Sequence, residues 1–214
     1  MPQVSVIIVD DHPLFCRGLA SLITSQSAYT VIGEVGSSEE AMELVRTKKP
    51  DLAIVDLRLG DEDGLEVIKK LKVLHSGLVV LVLSMQDERY YAERALNTGS
   101  NGYVMKTEAG TMIMAAIKTV LSGGIYLSEA ERERLQEFVP YEVGGKSFGL
   151  IEKLSNRQLE VFTLIGKGLG TLEIASRLKI SPKTVDAHKE NLKVRLHCPT
   201  TQKLNQLAIE WAKK

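Results

Sequence analysis

The sequence predicts a doubly wound α/β domain with a five-stranded parallel sheet, followed by a small all-α domain of four helices. The first prediction rests on short, almost continuously apolar segments that alternate with helix-length segments carrying apolar residues every three or four positions. The second rests on a helical pattern that continues from residue 155 to the end of the chain. We place the first domain at residues 1–122, a partly helical linker at 123–152 and the second domain at 153–214.

The strands are predicted where Val, Ile and Leu form short runs. Three runs are almost entirely apolar, as is typical of strands that are buried on both faces of a parallel sheet. Two further segments carry a weaker strand pattern. In chain order the five predicted strands are Val4–Val9, 30–35, Leu52–Val55, 78–83 and Gly102–Met105.

Local signals indicate where several helices begin. Pro13 suits a first helical turn, and Ser37 with Glu40 forms the pattern of a capping box. A charged segment at Glu129–Glu137 has a weak helical stripe, and residues 139–150 have the composition of a mobile joint.

Four helices are predicted in the second domain. Ser155 and Gln158 form a capping-box pattern at the start of the first, and Thr171–Leu178 form the second. Ser181 precedes Pro182 as an N-cap precedes a first helical residue, so the third helix should run to about residue 196. The last should cover 200–211.

The formal net charge of the chain is zero, with 27 basic and 27 acidic side chains, but the two parts differ. Residues 1–150 contain 15 Lys and Arg against 21 Asp and Glu, whereas residues 151–214 contain 12 against 6. A small basic module attracts the phosphate backbone of nucleic acids. Because such a difference in charge also arises by chance, only the sequence motifs can show whether the basic part binds nucleic acid.

Cysteine content and hydropathy indicate the compartment. Cys16 and Cys198 lie in different halves, without the spacing of a zinc site or a disulfide scaffold, which fits a reducing environment. The longest apolar run, 78–83, is too short to cross a bilayer, and the chain does not begin with a basic leader. We therefore expect a cytoplasmic protein with no membrane segment.

Polar residues follow four of the predicted strands. Asp10 and Asp11 follow the first strand, Asp56 the third, Ser84 the fourth and Lys106 the fifth. The carboxyl ends of strands in an open α/β sheet lie at the edge where ligands bind. Three carboxylates there would repel one another unless a hard cation joins them, and Mg²⁺ is the natural choice. One carboxylate could then attack a phosphoryl group while an ammonium and a hydroxyl hold its oxygens.

Residues 3 to about 122 resemble the flavodoxin-like receiver domain of two-component response regulators. The resemblance is carried by five motifs: Asp10-Asp11-His12, Asp56-Leu57-Arg58, Asp63-Gly64, Ser84 and Tyr103-Val104-Met105-Lys106. Two positions depart from the family pattern, since Leu59-Gly60-Asp61-Glu62 replaces a Pro-Gly turn and Thr107 replaces a proline. Neither departure removes a charged residue of the site.

The resemblance implies a role for each residue of this acidic site. Asp56 would be the phosphoacceptor. Mg²⁺ would be bound directly by Asp11 and Asp56, through water by Asp10, and by the backbone carbonyl of Arg58. Ser84 and Lys106 would hold the phosphoryl oxygens, and Ser84 would rearrange together with Tyr103 as the switch.

The second domain carries a helix-turn-helix pattern, in which the recognition helix would begin at Pro182. Basic and polar side chains on this helix can reach DNA phosphates: Lys183, Lys189, Lys193, Arg195 and Thr184. An ordinary amphipathic helix with a solvated basic face is the alternative interpretation of this helix alone.

Residues 153–213 resemble the LuxR-type helix-turn-helix domain. The motif consists of Leu154–Val161, Glu173-Ile174-Ala175, Ile180-Ser181, Lys183-Thr184-Val185 and His188. Together with the receiver, it places the chain among the NarL/FixJ-like response regulators. The resemblance implies dimeric DNA binding, with Leu204, Leu207 and Ala208 of the last helix as candidate contacts between protomers.

The recognition helix also departs from its relatives. Asp186 and Glu190 stand where relatives often present basic or small residues, and at the start of the supporting helix Gly170 and Leu172 replace commoner polar residues. Carboxylates accept from cytosine but are repelled by phosphates. We include Asp186, Ala187 and His188 among the candidate DNA contacts, and the operator cannot be inferred from relatives.

The two resemblances imply a transcription regulator that a sensor histidine kinase phosphorylates and that binds DNA as a homodimer when active. RNA polymerase is a further candidate partner. Its chemistry would be limited to phosphotransfer to, and dephosphorylation of, its own aspartate. Three alternatives stay open: a regulator that acts by protein interaction without phosphorylation, a phosphatase on a similar sheet, and a ligand-sensing regulator.

Overall fold

The computed structural model describes residues 3–137, 148–151 and 154–213. The chain forms two compact units, which divide between residues 139 and 140. Of the predicted joint at 139–150, residues 139–147 lie outside the described residues, and Phe148–Ile151 form one helical turn. The predicted domain limits at 122 and 153 remain predictions.

The first unit is built on a five-stranded sheet in which every neighbouring pair of strands is parallel. The spatial order is β2-β1-β3-β4-β5. This arrangement confirms the predicted fold class. The strands are β1 (Val4–Val9), β2 (Tyr29–Val35), β3 (Leu52–Val55), β4 (Val79–Ser84) and β5 (Gly102–Met105).

Six α-helices belong to the described part of this unit. Five alternate with or follow the strands, and the sixth is the charged segment that the sequence marked as weakly helical. They are α1 (Pro13–Thr24), α2 (Ser38–Lys48), α3 (Gly64–Leu74), α4 (Glu88–Thr98), α5 (Ala109–Leu121) and α6 (Glu129–Glu137).

The sheet is buried on both faces, which explains the unbroken apolar runs in its central strands. Val6 and Ile8 of β1 join a core with α1 and α5. The alternate residues, Ile7 and Val9, are fully buried too, and they point to the opposite face because side chains alternate along a strand. Because both faces are buried, the strand is apolar throughout and lacks the alternation of apolar and polar residues that a half-exposed strand shows.

One helix start differs in detail from its prediction. Ser37 caps α2 by accepting from the backbone N–H of Glu40, as predicted. The Glu40 carboxylate, however, accepts from the backbone N–H of Gly36 and from the Ser37 hydroxyl, rather than closing the capping box on the Ser37 N–H.

A short antiparallel hairpin, which the sequence did not reveal, pairs Arg58–Leu59 with Glu62–Asp63.

The second unit contains the four predicted helices, preceded by the short helix α7 (Phe148–Ile151). The capping box of Ser155 and Gln158 is complete, and Ser181 caps the helix that begins at Pro182. The four helices are α8 (Asn156–Gly166), α9 (Thr171–Leu178), α10 (Pro182–Arg195) and α11 (Thr201–Ala212).

Helix α11 packs on α8 to close the core of the second unit. The rings of Phe162 and Trp211 lie 5.5 Å apart. A Cβ atom on Gly166 would come within 2.5 Å of the Ala208 carbonyl oxygen, so the two backbones approach as closely as glycine allows. Leu204 and Ala208 are fully buried in this core. The prediction that Leu204 and Ala208 contact a second protomer is therefore wrong, because their side chains are used within the unit. For Leu207, which is only partly buried, it stays a prediction.

Among the described residues, no helix is both long and apolar enough to cross a membrane.

Candidate functional site

Side chains from four strand ends meet at the carboxyl edge of the sheet. Asp10 follows β1, Asp56 follows β3 and Lys106 follows β5, while Ser84 is the last residue of β4. Since all neighbouring strands are parallel, these four ends lie side by side. The structure thus brings the predicted residues of the acidic site into one pocket.

The Lys106 ammonium occupies the centre of this pocket. Its Nζ lies 2.6 Å from Oδ2 of Asp10 and 2.6 Å from Oδ2 of Asp56, and all three side chains are at most 6% exposed. Burial alone would lower the pKa of Lys106, but the charges of Asp56 and Asp10 and their hydrogen bonds outweigh it and raise the pKa above the usual 10.5. The lysine is therefore a fixed positive charge between two carboxylates.

Both oxygens of Asp56 have hydrogen-bond partners. Oδ2 accepts from Lys106. Oδ1 accepts from the Ser84 hydroxyl at 2.6 Å and from the backbone N–H of Arg58 at 3.2 Å. These contacts fix the carboxylate group in orientation, which is what a nucleophile in a phosphoryl transfer requires.

Three carboxylates and an imidazole could share a metal ion. Asp10, Asp11, His12 and Asp56 each offer one ligand atom, and these atoms lie within 4.8 Å of one another. Asp11 accepts from the backbone N–H of Gly60, and the His12 ring approaches both Asp10 and Asp11. A set dominated by carboxylate oxygens suits a hard divalent cation such as Mg²⁺.

Gly64 explains why the Asp63-Gly64 pair belongs to this site. A Cβ atom on Gly64 would lie 2.3 Å from the carbonyl oxygen of Asp56. The Gly64 N–H donates to the Leu57 carbonyl, and the Asp63 carboxylate caps the N-terminus of α3. Only a residue without a side chain lets α3 begin directly beneath the Asp56 segment.

Tyr103 connects the pocket to the segment that follows β4. Its ring is 1% exposed, and its hydroxyl donates to the Gln86 carbonyl at 2.9 Å. Burial, with smaller contributions from Tyr91 and Asp56, raises the pKa of Tyr103 well above 10. The backbone N–H of Gln86 in turn donates to the Ser84 hydroxyl at 3.4 Å. Ser84 and Tyr103 therefore both hydrogen-bond to the backbone of Gln86.

A buried carboxylate ties this loop to helix α6. Glu88, the first residue of α4, accepts from the backbone N–H of Ser128 at 2.9 Å. Ser128 immediately precedes α6, and its hydroxyl accepts from the N–H of Glu131 within that helix. Burial is the main cause that raises the pKa of Glu88, helped by the nearby carboxylates of Glu131 and Glu108 and opposed by the Ser128 bonds.

The raised pKa of Glu88 predicts a pH-dependent contribution to stability. Glu88 is protonated more readily in the folded chain than in the unfolded chain, where its pKa is near 4.5. The free energy of unfolding of the natural chain, relative to Glu88→Gln, should therefore rise as pH falls from 7.5 through the raised pKa, and level off below about 4.5. Urea denaturation of both chains at several pH values measures this difference. A difference that does not vary with pH would contradict the assignment.

Helix α10 of the second unit presents the residues expected to contact DNA. Its exposed side chains include Lys183, Thr184, Asp186, Ala187 and Arg195. His188, Lys189 and Lys193 are partly buried. The predicted set is therefore divided between a solvent-exposed group and a group that also contacts its own domain.

Two of these side chains are tied to the supporting helix α9. Lys189 donates to the Thr171 hydroxyl at 2.7 Å, and that hydroxyl donates to Asp186 at 3.2 Å. A polar bridge thus joins the start of α9 to the middle of α10. It places the cation of Lys189 beside the carboxylate of Asp186 and reduces the repulsion that this carboxylate would otherwise exert on phosphates.

Arg157 joins α8 to the end of α9. Its guanidinium pairs with Glu160 at 2.7 Å and donates to the Leu178 carbonyl at the end of α9. Burial and the nearby charge of Arg157 lower the pKa of His188, with a smaller opposing effect from Glu160. His188 is therefore mostly neutral at neutral pH.

Three residues near the first site were not identified from the sequence as functional: Phe15, Gln86 and Glu88. Gln86 and Glu88 act through contacts with residues from 2 to 40 positions away. In the sequence Phe15 has only the pattern of an apolar residue of α1, although its ring faces the Lys106 ammonium. A buried acidic residue at a helix start is a weak sequence signal, because an exposed N-terminal carboxylate gives the same pattern.

Two family models match the chain. The model described as "Response regulator receiver domain" matches residues 6–118, and the model described as "Bacterial regulatory proteins, luxR family" matches residues 152–208. The first covers the unit with the acidic pocket, and the second covers the unit with the exposed basic helix.

Similar proteins extend over nearly the whole chain. The virulence-factor regulator BvgA of Bordetella pertussis is 34% identical, with 95% of each chain covered. The transcriptional activator protein ExaE of Pseudomonas putida is 32% identical over 97% of this chain and 96% of its own. The structure of the RcsB response regulator of Salmonella typhimurium superposes with a TM-score of 0.60 at 26% identity and covers 97% of this chain and 98% of its own. RcsB has also been solved as a complex with DNA, with a TM-score of 0.58 at 25% identity over 96% of this chain and 97% of that one.

Proposed function

Because the chain belongs to the two-component response regulators of the NarL/FixJ class, with a receiver domain and a LuxR-type DNA-binding domain, we propose that phosphorylation of Asp56 by a sensor histidine kinase controls its binding to specific DNA sequences. The observation that carries the proposal is the pocket in which Asp56 lies between Lys106 and Ser84. Its chemistry would be limited to its own aspartate. We place its action in the cytoplasm, where kinase, DNA and RNA polymerase are accessible.

Each residue of the pocket has a part in the transfer. An Asp56 oxygen would attack the phosphorus atom while the bond to the donor's imidazole nitrogen breaks and leaves its electron pair on that nitrogen. Lys106 and Ser84 would then hold the phosphoryl oxygens. Asp11 and Asp56 would ligate Mg²⁺ directly, Asp10 through water, and the Arg58 carbonyl would complete the protein ligands. When bound, Mg²⁺ supplies positive charge that offsets the charge of the phosphoryl group.

The hydrogen bonds around Ser84 suggest how the signal would leave the pocket. The Ser84 hydroxyl donates to Asp56 and accepts from Gln86. A phosphoryl group on Asp56 moves the acceptor outward, so the hydroxyl must follow and the 84–86 segment must shift. Tyr103 holds the Gln86 carbonyl, and Glu88, two residues further on, holds Ser128. The path thus ends at α6, which lies within the predicted linker.

The second domain would bind DNA through α10, and phosphorylation would favour a dimer that reads two half-sites. The RcsB–DNA complex supports DNA binding by this architecture. The exposed Lys183 and Arg195 would contact phosphates, which position the helix. Asp186 and Ala187, exposed in the N-terminal half of the helix, would face base edges.

DNA binding with and without phosphorylation tests the proposal. Operator sequences are first selected from randomised duplexes by the full chain treated with acetyl phosphate and Mg²⁺. Their affinity is then measured by mobility shift, with and without the phosphodonor. We expect phosphorylation to tighten binding by about tenfold or more, within the usual range of allosteric coupling. EDTA and the Asp56→Asn change should each remove that increase.

The same measurement distinguishes the alternative regulator that needs no phosphorylation. If the Asp56→Asn chain binds the selected DNA as tightly as the phosphorylated natural chain, then binding is independent of the pocket. If the natural chain is phosphorylated and its affinity does not change, the proposed coupling is wrong.

A further inference from the structure

The ring of Phe15 faces the ammonium of Lys106. Phe15 is the third residue of α1, and the Lys106 Nζ lies 4.7 Å from the centre of its ring. The face of an aromatic ring is electronegative and attracts a cation within about 6 Å. Phe15 is partly buried and packs against the core between α1 and α5. Its ring therefore forms an apolar wall of the pocket next to the charge that would hold the phosphoryl group.

In the part of the chain that the structure describes, the other partners of this ammonium are the carboxylates of Asp10 and Asp56. Both carboxylates also take part in the proposed reaction, since Asp10 would bind Mg²⁺ through water and Asp56 would become the phosphorylated group. The carboxylates that hold Lys106 before the reaction are therefore altered during it. The Phe15 ring carries no titratable or metal-binding group, so its contact with the ammonium need not change.

We propose that Phe15 is a positioning residue for phosphoryl transfer, which holds the Lys106 ammonium at the phosphoryl site while the carboxylates exchange partners. This inference rests on the proposed function of Asp56. The ring acts through Lys106 and does not touch the reacting atoms.

An aromatic ring suits this position better than an aliphatic side chain of similar size. Lys106 is only 6% exposed, so water does little to stabilise its charge. An aliphatic wall would exclude water from the ammonium without offering any attraction. The quadrupole of the ring excludes water and attracts the cation, and this attraction is stronger in a desolvated site.

A series of substitutions at position 15 tests the proposal. The rate of Asp56 phosphorylation by acetyl phosphate with saturating Mg²⁺ is measured on gels that retard phosphoproteins. Phe15→Leu should slow phosphorylation by about three- to tenfold. Phe15→Tyr, which keeps an aromatic face, should retain most of the natural rate. Phenylalanine analogues with one, two and five ring fluorines, placed at position 15, keep the shape of the ring but progressively weaken its negative face. The logarithm of the rate should fall in proportion to that weakening.

A control variant separates loss of packing from loss of the cation contact. Leu22 lies on the same helix and also packs, partly buried, against the core. Leu22→Ala should lower the stability of the receiver while leaving the phosphorylation rate within twofold. If the fluorinated series has a constant rate, or if Leu22→Ala slows the reaction as much as Phe15→Leu, Phe15 serves only packing and the proposal is wrong.

A measurement on the natural chain applies even if a variant fails to fold. Ring currents of Phe15 should displace the proton resonances of the Lys106 ε-methylene group in NMR spectra, both in the free chain and with Mg²⁺ and beryllofluoride. A displacement that disappears with beryllofluoride would overturn the proposal. If instead Asp56→Asn is phosphorylated normally, the function proposed for Asp56 itself has failed, which is a separate result.

Discussion

Replacing Asp56 with Asn is expected to reduce phosphorylation of the chain by acetyl phosphate by about a hundredfold or more. The amide lacks a nucleophilic carboxylate oxygen, and it removes one of the three carboxylates that would bind the divalent cation. Intact-protein mass spectrometry after incubation with acetyl phosphate and Mg²⁺ measures the phosphorylated fraction. Circular dichroism and urea denaturation show whether the variant keeps its fold.

Asp51 provides a matched control at the opposite end of the same strand. It precedes β3, whereas Asp56 follows it, and its carboxylate accepts from the backbone N–H and the hydroxyl of Ser5. Asp51→Asn should be phosphorylated at the natural rate. Equal loss of phosphorylation in both variants would mean that the effect comes from damage to the strand and not from loss of the acceptor.

Replacing Lys106 with Met is expected to have two effects of opposite sign. Without divalent cations, Asp10 and Asp56 lose the ammonium that neutralises them, and both are about 95% buried. Removal of one partner from a buried ion pair costs roughly 3 kcal/mol of stability. With the positive charge gone, the pocket should also bind Mg²⁺ about tenfold more tightly, so that Mg²⁺ restores much of the lost stability.

Urea denaturation with and without Mg²⁺ measures both effects of Lys106→Met. Lys118→Met is the control, because Lys118 is exposed on α5 and its replacement should change stability by less than about 0.5 kcal/mol. The predicted result is a larger Mg²⁺-dependent stabilisation for Lys106→Met than for the natural chain. Equal stabilisation of the two chains by Mg²⁺ would show that Lys106 does not compete with the cation for the carboxylates.

Much of this pocket could be predicted because strand ends leave a clear signal. The runs that end at Val9, Val55 and Met105 locate the strands to the residue, and parallel pairing then brings Asp10, Asp56 and Lys106 together. The helix starts at Pro13 and Pro182 follow from the restricted backbone of proline. These features depend on local sequence and on the geometry of the sheet.

Contacts between side chains that are distant in sequence could not be predicted in the same way. No periodic pattern relates Phe15 to Lys106, or Glu88 to Ser128, because each contact depends on how two packed elements are rotated and spaced. The bridge from Lys189 through Thr171 to Asp186 is of the same kind. Leu204 and Ala208 show a further difficulty, since an apolar stripe on a helix has the same pattern whether it packs on its own domain or on a partner.

Chemical trapping of the phosphorylated residue tests the central claim most directly. Borohydride reduces an aspartyl phosphate to homoserine, which peptide mass spectrometry locates in the sequence. After treatment with acetyl phosphate and Mg²⁺, homoserine should appear at position 56 and only when the divalent cation is present. Homoserine at the position of another aspartate would contradict the account. So would the absence of homoserine under conditions in which a known receiver domain is phosphorylated.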